Sequence, residues 1–261
     1  MTVTAVEFDY IRELVYSRAA IVLDDGKEYL VESRLQPLAR RLAAGSIPAL
    51  VQRLRAEPLN AVHTEVVEAM TTNETSFFRD RHPFDAMAQH VLPALSVMRG
   101  GAPLTIWSAA CSSGQEPYSL GMLIHERFPE LLAGRLRCYA SDISTLMLSK
   151  AVEGRFSHLE VNRGLPAPLL VKYFERRGVD WEIKDSVRRM VEFRQMNLAA
   201  PWAPLPPMDV VFLRNVLIYF DTTTKVAILE RLRRVMKPDG FLFLGAGETT
   251  LNLDPSYERV T

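Results

Sequence analysis

The chain has 261 residues, enough for one large domain or two smaller ones. Hydrophobic residues make up 48% of it and charged residues 24%, a globular composition that excludes a disordered or fibrous chain. The formal net charge is zero, and no apolar run approaches the ~18 residues that a membrane-spanning helix needs. The N-terminus is not a signal peptide, so we expect a soluble cytoplasmic protein that neither binds nucleic acid nor inserts into a membrane.

The first 70 residues have the apolar spacing of helices and no strand pattern, so they predict an all-α unit. Gly45 would end the second helix, and Pro37 is expected to kink or split that helix. The four expected helices cover about residues 4–22, 27–44, 48–56 and 58–70.

The second of these helices carries a row of basic side chains. Lys27, Arg34 and Arg41 are seven residues apart, and seven residues drift only ~20° from two full turns, so the three lie close to one line. Such a row is either an ordinary solvated face or a docking stripe for an acidic partner, and the spacing leaves both interpretations open.

Residues 73–80, NETSFFRD, combine polar side chains with two aromatic rings. Asn73, Thr75 and Arg79 offer an amide, a hydroxyl and a guanidinium fork, which suit a polar ligand with a carboxylate. Phe77 and Phe78 are expected to hold two modules together. We therefore place an all-α domain at 1–80, a linker helix at 81–98 and an α/β domain at 99–261.

Residues 104–117, LTIWSAACSSGQEP, predict a buried strand, a loop of small residues and a helix that Pro117 opens. Small side chains let the backbone approach a ligand at the helix N-terminus. The loop has neither the GxGxxG pattern nor a Lys or Arg for phosphate, and Glu116 favours a positively charged ligand. These features favour S-adenosylmethionine, a nucleoside with a sulfonium and an ammonium group, over NAD or ATP.

Strands then alternate with helices, which predicts a parallel sheet that binds its ligand at the carboxyl ends of the strands. Glu116, Asp142, Asn197 and Asn215 all fall at or just beyond such ends. Asp142 suits a ribose diol, and alternatively it caps a helix at 144–152. The first expected strand starts at Leu104 and ends at the loop of small residues, and the others cover 135–140, 191–194, 209–213 and 241–244, with a hairpin at 181–190 and a turn at 237–240.

The two cysteines, Cys111 and Cys138, form no CxxC motif, and the five histidines show no ligand spacing. We expect two buried thiols in a reducing compartment and no metal site.

Five motifs follow one another in the order found in one protein family. They are NETSFFRD (73–80), IWSAACSSGQEPYSL (106–120), ASDIS (140–144), MNL (196–198) and LRNVLIYFD (213–221), and KPDGFLFLGAGE (237–248) fits as well. Over nearly its whole length the chain resembles the CheR family, the S-adenosylmethionine-dependent chemoreceptor methyltransferases of bacterial chemotaxis. The resemblance implies an α/β fold, a Rossmann-like class I methyltransferase sheet preceded by a small all-α domain.

The resemblance also implies a reaction, methyl transfer from S-adenosylmethionine to glutamate side chains of a chemoreceptor, giving a γ-methyl ester and S-adenosylhomocysteine. Arg79 would bind the methionyl carboxylate, Glu116 the ammonium and Asp142 the ribose hydroxyls. Tyr219 would lie close to the transferring methyl, which makes Tyr219 and Arg79 the expected catalytic residues. The other implied cofactor contacts are Asn73 and Thr75 from the interdomain segment, Asn197 and Leu198 beside the adenine, and Arg214 and Asn215 along the methionyl arm.

In this family the N-terminal domain faces the acidic methylation region of the receptor, which favours Lys27, Arg34 and Arg41 as docking residues. Relatives that bind the receptor's C-terminal pentapeptide have a β-subdomain with a glycine-rich loop. Here the insertion at about 153–190 is reduced, and RRGVDWEIKDSVRRM (176–190) has only Gly178, so we predict independence of the pentapeptide. The hairpin that closes the family's sheet is expected to be missing after YERVT (257–261), which would leave an open edge.

Two other functions remain as alternatives, a small-molecule methyltransferase with the same sheet and a non-catalytic regulator that binds S-adenosylmethionine. The first would need neither the helical domain nor NETSFFRD. The complete set of matching site residues argues against the second. We expect a monomer.

Overall fold

The computed structural model describes residues 3–260, which form a helical domain and an α/β domain. The helical domain consists of α1 (Ala5–Ala19), α2 (Glu28–Arg41), α3 (Ile47–Ala56) and α4 (Ala61–Met70), which share one apolar core. Side-chain oxygens of Thr4, Ser46 and Asn60 cap three of these helices by accepting bonds from free N–H groups of the first turn. The prediction of an all-α domain is confirmed.

Pro37 was expected to kink or split α2, and the split does not occur, because the helix continues from Glu28 to Arg41 with Pro37 inside it. Proline removes one hydrogen bond, the one to the carbonyl of Ser33. Pro37 and Ser33 are both exposed, so water can take the place of the missing donor.

The helix expected as a linker instead packs on the sheet. It runs as α5 (His82–Ala86), a π-helical turn at Met87–Val91 and α6 (Leu92–Arg99). Phe84, Leu92 and Leu95 are buried in the core of the α/β domain. The π-helical turn comes just before Pro93, whose missing N–H interrupts the regular hydrogen-bond ladder, and the wider turn accommodates that interruption.

Phe77 and Phe78 do not hold the two domains together, because both pack within the α/β domain. The Phe77 ring is 0% exposed and meets Phe156 and Phe174 edge to face, with centroids 5.0 and 5.6 Å away. Gly164 approaches so closely that a Cβ there would lie 2.1 Å from the Phe77 carbonyl oxygen. These contacts fix the 73–80 segment to the α/β domain.

Five parallel strands form the central sheet, in the order β6–β2–β1–β7–β8. The strands are β1 (Leu104–Ala109), β2 (Leu136–Asp142), β6 (Val191–Gln195), β7 (Met208–Leu213) and β8 (Met236–Leu244), and the crossover helices include α7 (Gln115–Arg127), α8 (Thr145–Glu153) and α12 (Thr222–Val235). The strand order reverses between β1 and β7, so the connections there run to opposite faces and leave a crevice at the carboxyl ends. Among residues 3–260, β8 is an edge strand.

β8 is longer than predicted, since residues 237–240 lie inside the strand as an irregularity rather than before it as a turn. Two ion pairs hold this irregularity in place, one to the start of β7 and one to the end of α6. Lys237 pairs with Asp209, and Asp239 pairs with Arg99.

The insertion between α8 and β6 forms a second, antiparallel sheet. Its strands are β3 (Arg155–Phe156), β4 (Phe174–Arg177) and β5 (Asp180–Ile183), and its short helices are α9 (His158–Asn162), α10 (Ala167–Tyr173) and α11 (Asp185–Arg188). The hairpin spans 174–183 rather than 181–190, because Gly178 turns the chain with φ 65° and residues 185–188 are helical. Within residues 3–260, no helix has the length and apolarity needed to cross a bilayer.

Candidate functional site

A cavity lies between the two domains, at the crevice between β1 and β7. The side chains predicted to surround the cofactor all line it, and these are Asn73, Thr75, Arg79, Glu116, Asp142, Asn197, Leu198, Arg214, Asn215 and Tyr219.

The loop after β1 forms one wall of the cavity in a strained conformation. Ala110 and Ser112 have φ values of 57° and 51°, in the left-handed region that costs non-glycine residues free energy. Ser112 is held there because its N–H donates to Asp142 (2.8 Å) and its hydroxyl donates to the Asn73 carbonyl (3.0 Å). α7 then begins at Gln115, so Pro117 is its third residue rather than its first, still in the turn that needs no N–H partner.

Asp142 ends β2 with a buried carboxylate that accepts two backbone N–H groups. One oxygen accepts from Ser144 (2.9 Å) and the other from Ser112 (2.8 Å). Burial raises the pKa of Asp142, and these two bonds oppose the rise. The alternative interpretation of Asp142 as the cap of the following helix is wrong, since the Ser144 side chain caps α8. Each Asp142 oxygen keeps a lone pair for a further donor.

Glu116 is partly buried, with a side chain 12% exposed, and both of its oxygens are bonded. One accepts from the Ser108 hydroxyl (2.7 Å) and the other from the Arg214 guanidinium (2.9 Å). Burial raises the pKa of Glu116, and the charge of Arg214 opposes the rise. Arg214 donates in turn to Asp80 (2.7 Å), so a bound cation would share Glu116 with an arginine already neutralised in part by a second carboxylate.

Asn197 connects the two domains through its amide. The Nδ2 group donates to the Arg18 carbonyl at the end of α1 (2.7 Å), and the Oδ1 atom accepts from Ala199 N–H (2.9 Å). Leu198, next in the chain, is buried and lines the cavity. Arg79 donates to the Glu74 carbonyl (2.7 Å), which orients its side chain along the 73–80 segment.

Sequence reasoning missed the part of the cavity wall that the helical domain supplies. Ala19 and Ile21 line the cavity from the end of α1, and Ile21 forms an isolated antiparallel bridge with Phe220. Val22 N–H donates to the Tyr219 carbonyl (2.9 Å) beside that bridge. An apolar residue after a helix carries no local signal for this, because the role depends on a partner about 200 positions away.

The basic row on α2 is divided by the fold. Arg34 is half-buried, and its guanidinium donates to the carbonyls of Met70 (2.5 Å) and Thr71 (3.0 Å) and to the Thr72 hydroxyl (2.9 Å). It thereby satisfies carbonyls at the C-terminal end of α4, which have no partner within the helix. The charge of Arg34 is directed into the protein, which argues against a docking role for this residue. Arg41 lies on the surface, paired with Glu65.

The residues present fit a nucleoside that carries positive charge. Glu116 and Asp142 provide acceptors, and Ile21, Met196 and Leu198 provide apolar surface for a base. Cys111 and Cys138 are buried free thiols, as expected from the sequence. No group of three or more His, Cys, Asp or Glu within residues 3–260 is arranged to hold a metal ion.

Comparisons with known proteins match both domains to one family. Residues 6–71 match the CheR methyltransferase all-alpha domain, and residues 73–260 match the CheR methyltransferase SAM binding domain. Chemotaxis protein methyltransferase 1 of Pseudomonas aeruginosa is 43% identical over 265 residues, covering 100% of this chain and 96% of the relative. Chemotaxis protein methyltransferase Cher2 of Pseudomonas putida is 41% identical with the same coverage, and a chemotaxis protein methyltransferase of Vibrio parahaemolyticus is 38% identical, covering 100% of this chain and 95% of the relative.

Proposed function

The chain belongs to the CheR methyltransferase family, and from this premise we propose that it methylates glutamate side chains of a methyl-accepting chemotaxis receptor. As a family member it is an S-adenosylmethionine-dependent methyltransferase. The products would be a glutamate γ-methyl ester and S-adenosylhomocysteine. We propose that the enzyme acts as a monomer in the cytoplasm, on the methylation helices of the receptor. The observation that carries the proposal is the meeting of all ten family-matched side chains around one interdomain cavity.

Methyl transfer to a carboxylate requires little from the protein beyond positioning and desolvating the reacting groups. When bound, the cofactor supplies a methyl group on a positively charged sulfur. A substrate glutamate has an ordinary pKa near 4.3, so it is ionised at neutral pH and no general base has to remove a proton. The cavity walls would hold that carboxylate in line with the methyl group and exclude water from it.

We assign the cofactor contacts by position. Asp142 and Glu116 would accept from the ribose hydroxyls and the ammonium, and Arg79 would bind the carboxylate. Tyr219, on the segment that the helical domain also contacts, would lie nearest the methyl group and the entering substrate. The remaining contacts assigned to the cofactor are Asn73, Thr75, Asn197, Leu198, Arg214 and Asn215.

A methyl-transfer assay tests the proposal. Receptor-containing membranes are incubated with the protein and methyl-labelled cofactor, and label released as methanol by base is measured. Base-labile label on the receptor supports glutamate methylation. Base-stable label would indicate another acceptor, and cofactor binding without any label would indicate a non-catalytic regulator.

We propose that Lys27 and Arg41 dock the acidic region of the receptor, without Arg34. The double substitution Lys27→Glu and Arg41→Glu is expected to raise the KM for receptor by roughly 3- to 10-fold, since each surface ion pair is worth at most about 1 kcal/mol. The affinity for S-adenosylhomocysteine should stay unchanged. Arg189→Glu, a charge reversal at an exposed arginine just after α11, is the control, and an unaltered KM in the double variant would refute the docking role.

We also propose that the enzyme does not depend on the receptor's C-terminal pentapeptide. The turn between β4 and β5 consists of only Gly178 and Val179, which leaves no glycine-rich loop for a peptide to pair with. Calorimetric titration with a synthetic peptide of the last five receptor residues should give no heat of binding. Tight binding, or a loss of activity on receptors that lack this tail, would contradict the proposal.

A further inference from the structure

Glu248 follows β8 and does not line the cavity, yet its carboxylate binds the backbone of the segment that does. One oxygen accepts the N–H groups of Val216 (2.8 Å) and Leu217 (2.7 Å). The other accepts those of Asn215 (2.7 Å) and Gly245 (2.7 Å). Four backbone donors therefore converge on one side chain.

Three successive N–H groups face one way because Asn215 adopts the left-handed conformation, with φ 56°. Successive donors arranged in this manner form a nest for an anion. Here the anion is part of the protein, and its charge strengthens each of the four hydrogen bonds. Without it, the free N–H groups and the left-handed residue would both favour rearrangement of the segment.

Gly245 lets the segment after β8 approach residues 215–217 closely enough for these bonds. A Cβ at this position would lie 2.7 Å from the Asn215 side-chain nitrogen and 2.7 Å from the Glu248 carboxylate. The segment that Glu248 holds presents Arg214, Asn215 and Tyr219 to the cavity. A shift of this segment would therefore move three of the side chains assigned to the cofactor.

We propose that Glu248 is a positioning residue of the cofactor site. It acts through the backbone of residues 215–217, which it fixes in the conformation that presents Asn215 and Tyr219 to the cofactor. The inference rests on the roles proposed for those two residues, and it concerns binding of the cofactor rather than the identity of the methyl acceptor.

The test combines substitution with chemical rescue. Glu248→Ala removes the carboxylate, and its affinity for S-adenosylhomocysteine is measured by calorimetry with and without added formate. We expect binding to weaken about tenfold or more, as when other positioning groups behind a site are removed. Formate should restore most of the affinity, because a small carboxylate can enter the half-buried nest and accept the same N–H groups. Glu230→Gln, an exposed change on α12, is the matched control.

Unchanged affinity in Glu248→Ala would overturn the proposal, and so would a loss that formate does not restore, because a purely structural defect would not respond to an anion. If the alanine variant does not fold, Glu248→Gln decides. That variant keeps the size of the side chain but replaces one acceptor with a donor, so wild-type affinity would refute the positioning role and a loss of about tenfold would support it. A wild-type protein that binds S-adenosylhomocysteine but methylates no receptor would refute the proposed function. The test of Glu248 would still be valid, because it measures only the affinity for S-adenosylhomocysteine.

Discussion

At the level of single residues, Glu116 and Asp142 are the acidic side chains that determine how the cavity interacts with a charged ligand. Asp142 is buried and Glu116 partly buried, and removal from water raises the pKa of each. Each is compensated within the protein, Glu116 by Arg214 and Asp142 by two backbone N–H groups. Each carboxylate therefore already has hydrogen-bond partners in the cofactor-free protein, and a bound cation adds to these interactions.

Acidification is expected to weaken cofactor binding, beginning above the ordinary pKa of a glutamate side chain. A raised pKa means that the free protein takes up protons on Glu116 and Asp142 at a higher pH than exposed carboxyls would, and these protons must leave before the two carboxylates can accept from the ammonium and the ribose hydroxyls. The measurement is the dissociation constant of S-adenosylmethionine by calorimetry from about pH 8 to about pH 5. The stability of the cofactor-free protein should depend on pH in the opposite direction. Its free energy of unfolding should rise as pH falls, because the cost of burying these two charges disappears as pH passes through their raised pKa values.

Glu116→Gln separates the two carboxylates. It should weaken binding about tenfold at neutral pH, because a charge-assisted contact is lost, and it should reduce the number of linked protons by about one. The residual pH dependence then belongs to Asp142. An affinity and a pH profile identical to wild type would exclude Glu116 from cofactor binding.

At the level of elements, the two ends of β7 have different roles. Its carboxyl end leads into the cavity, and its amino end carries Asp209, which is 0% exposed. Asp209 binds Arg99 (2.5 Å), Lys237 (2.9 Å) and the backbone N–H of Thr105 (2.9 Å). One buried carboxylate therefore joins β7 to α6, β1 and β8 on the side of the sheet away from the site.

Asp209→Asn is expected to lower the free energy of unfolding by about 3–5 kcal/mol, because Arg99 and Lys237 would both lose their buried negative partner. The folded fraction should bind S-adenosylhomocysteine with wild-type affinity, since the change is far from the cavity. Denaturant unfolding and calorimetry check the two statements. Asp239→Asn is the control, because it removes a partner of Arg99 that is exposed and should cost much less. Equal losses for both variants would contradict the assignment.

At the level of the whole molecule, the cavity exists only where the two domains meet. Polar contacts across this interface join α1 to the α/β domain, such as Tyr16 with Asp221 (2.6 Å), and join α4 to the start of α8. In the second contact Glu68 accepts from the hydroxyls of Thr145 (2.9 Å) and Ser144 (3.2 Å). Neither domain alone encloses the cavity, so the relative position of the domains is part of the proposed binding site.

Glu68→Ala should weaken cofactor binding several-fold while both domains stay folded, because it removes the contact between α4 and α8. Hydrogen exchange should increase in residues 61–75. Glu65→Ala, one turn earlier on the same helix, is the matched control, since Glu65 pairs with Arg41 inside the helical domain. The same loss of affinity in both variants would indicate a general effect on α4 rather than on the interface.

Features that depend on neighbours in the chain could be predicted from the sequence alone. Apolar spacing predicted α1 to α4, a continuous apolar run predicted β7, and the positions of Glu116, Asp142 and Asn215 at strand ends predicted that they would meet. These predictions succeed because helix period, strand burial and the common edge of a parallel sheet are local or topological properties.

The long-range partners of several side chains could not be predicted, because they depend on how the chain folds. Arg34 has the spacing of a surface stripe, but its guanidinium binds carbonyls about 36 positions away at the end of α4. Phe77 packs into the α/β core rather than between the domains, and Glu248 finds its backbone partners some 33 positions back. In each case the partner is distant in the chain, and a buried donor, ring or carboxylate takes whichever partner the folded chain brings to it.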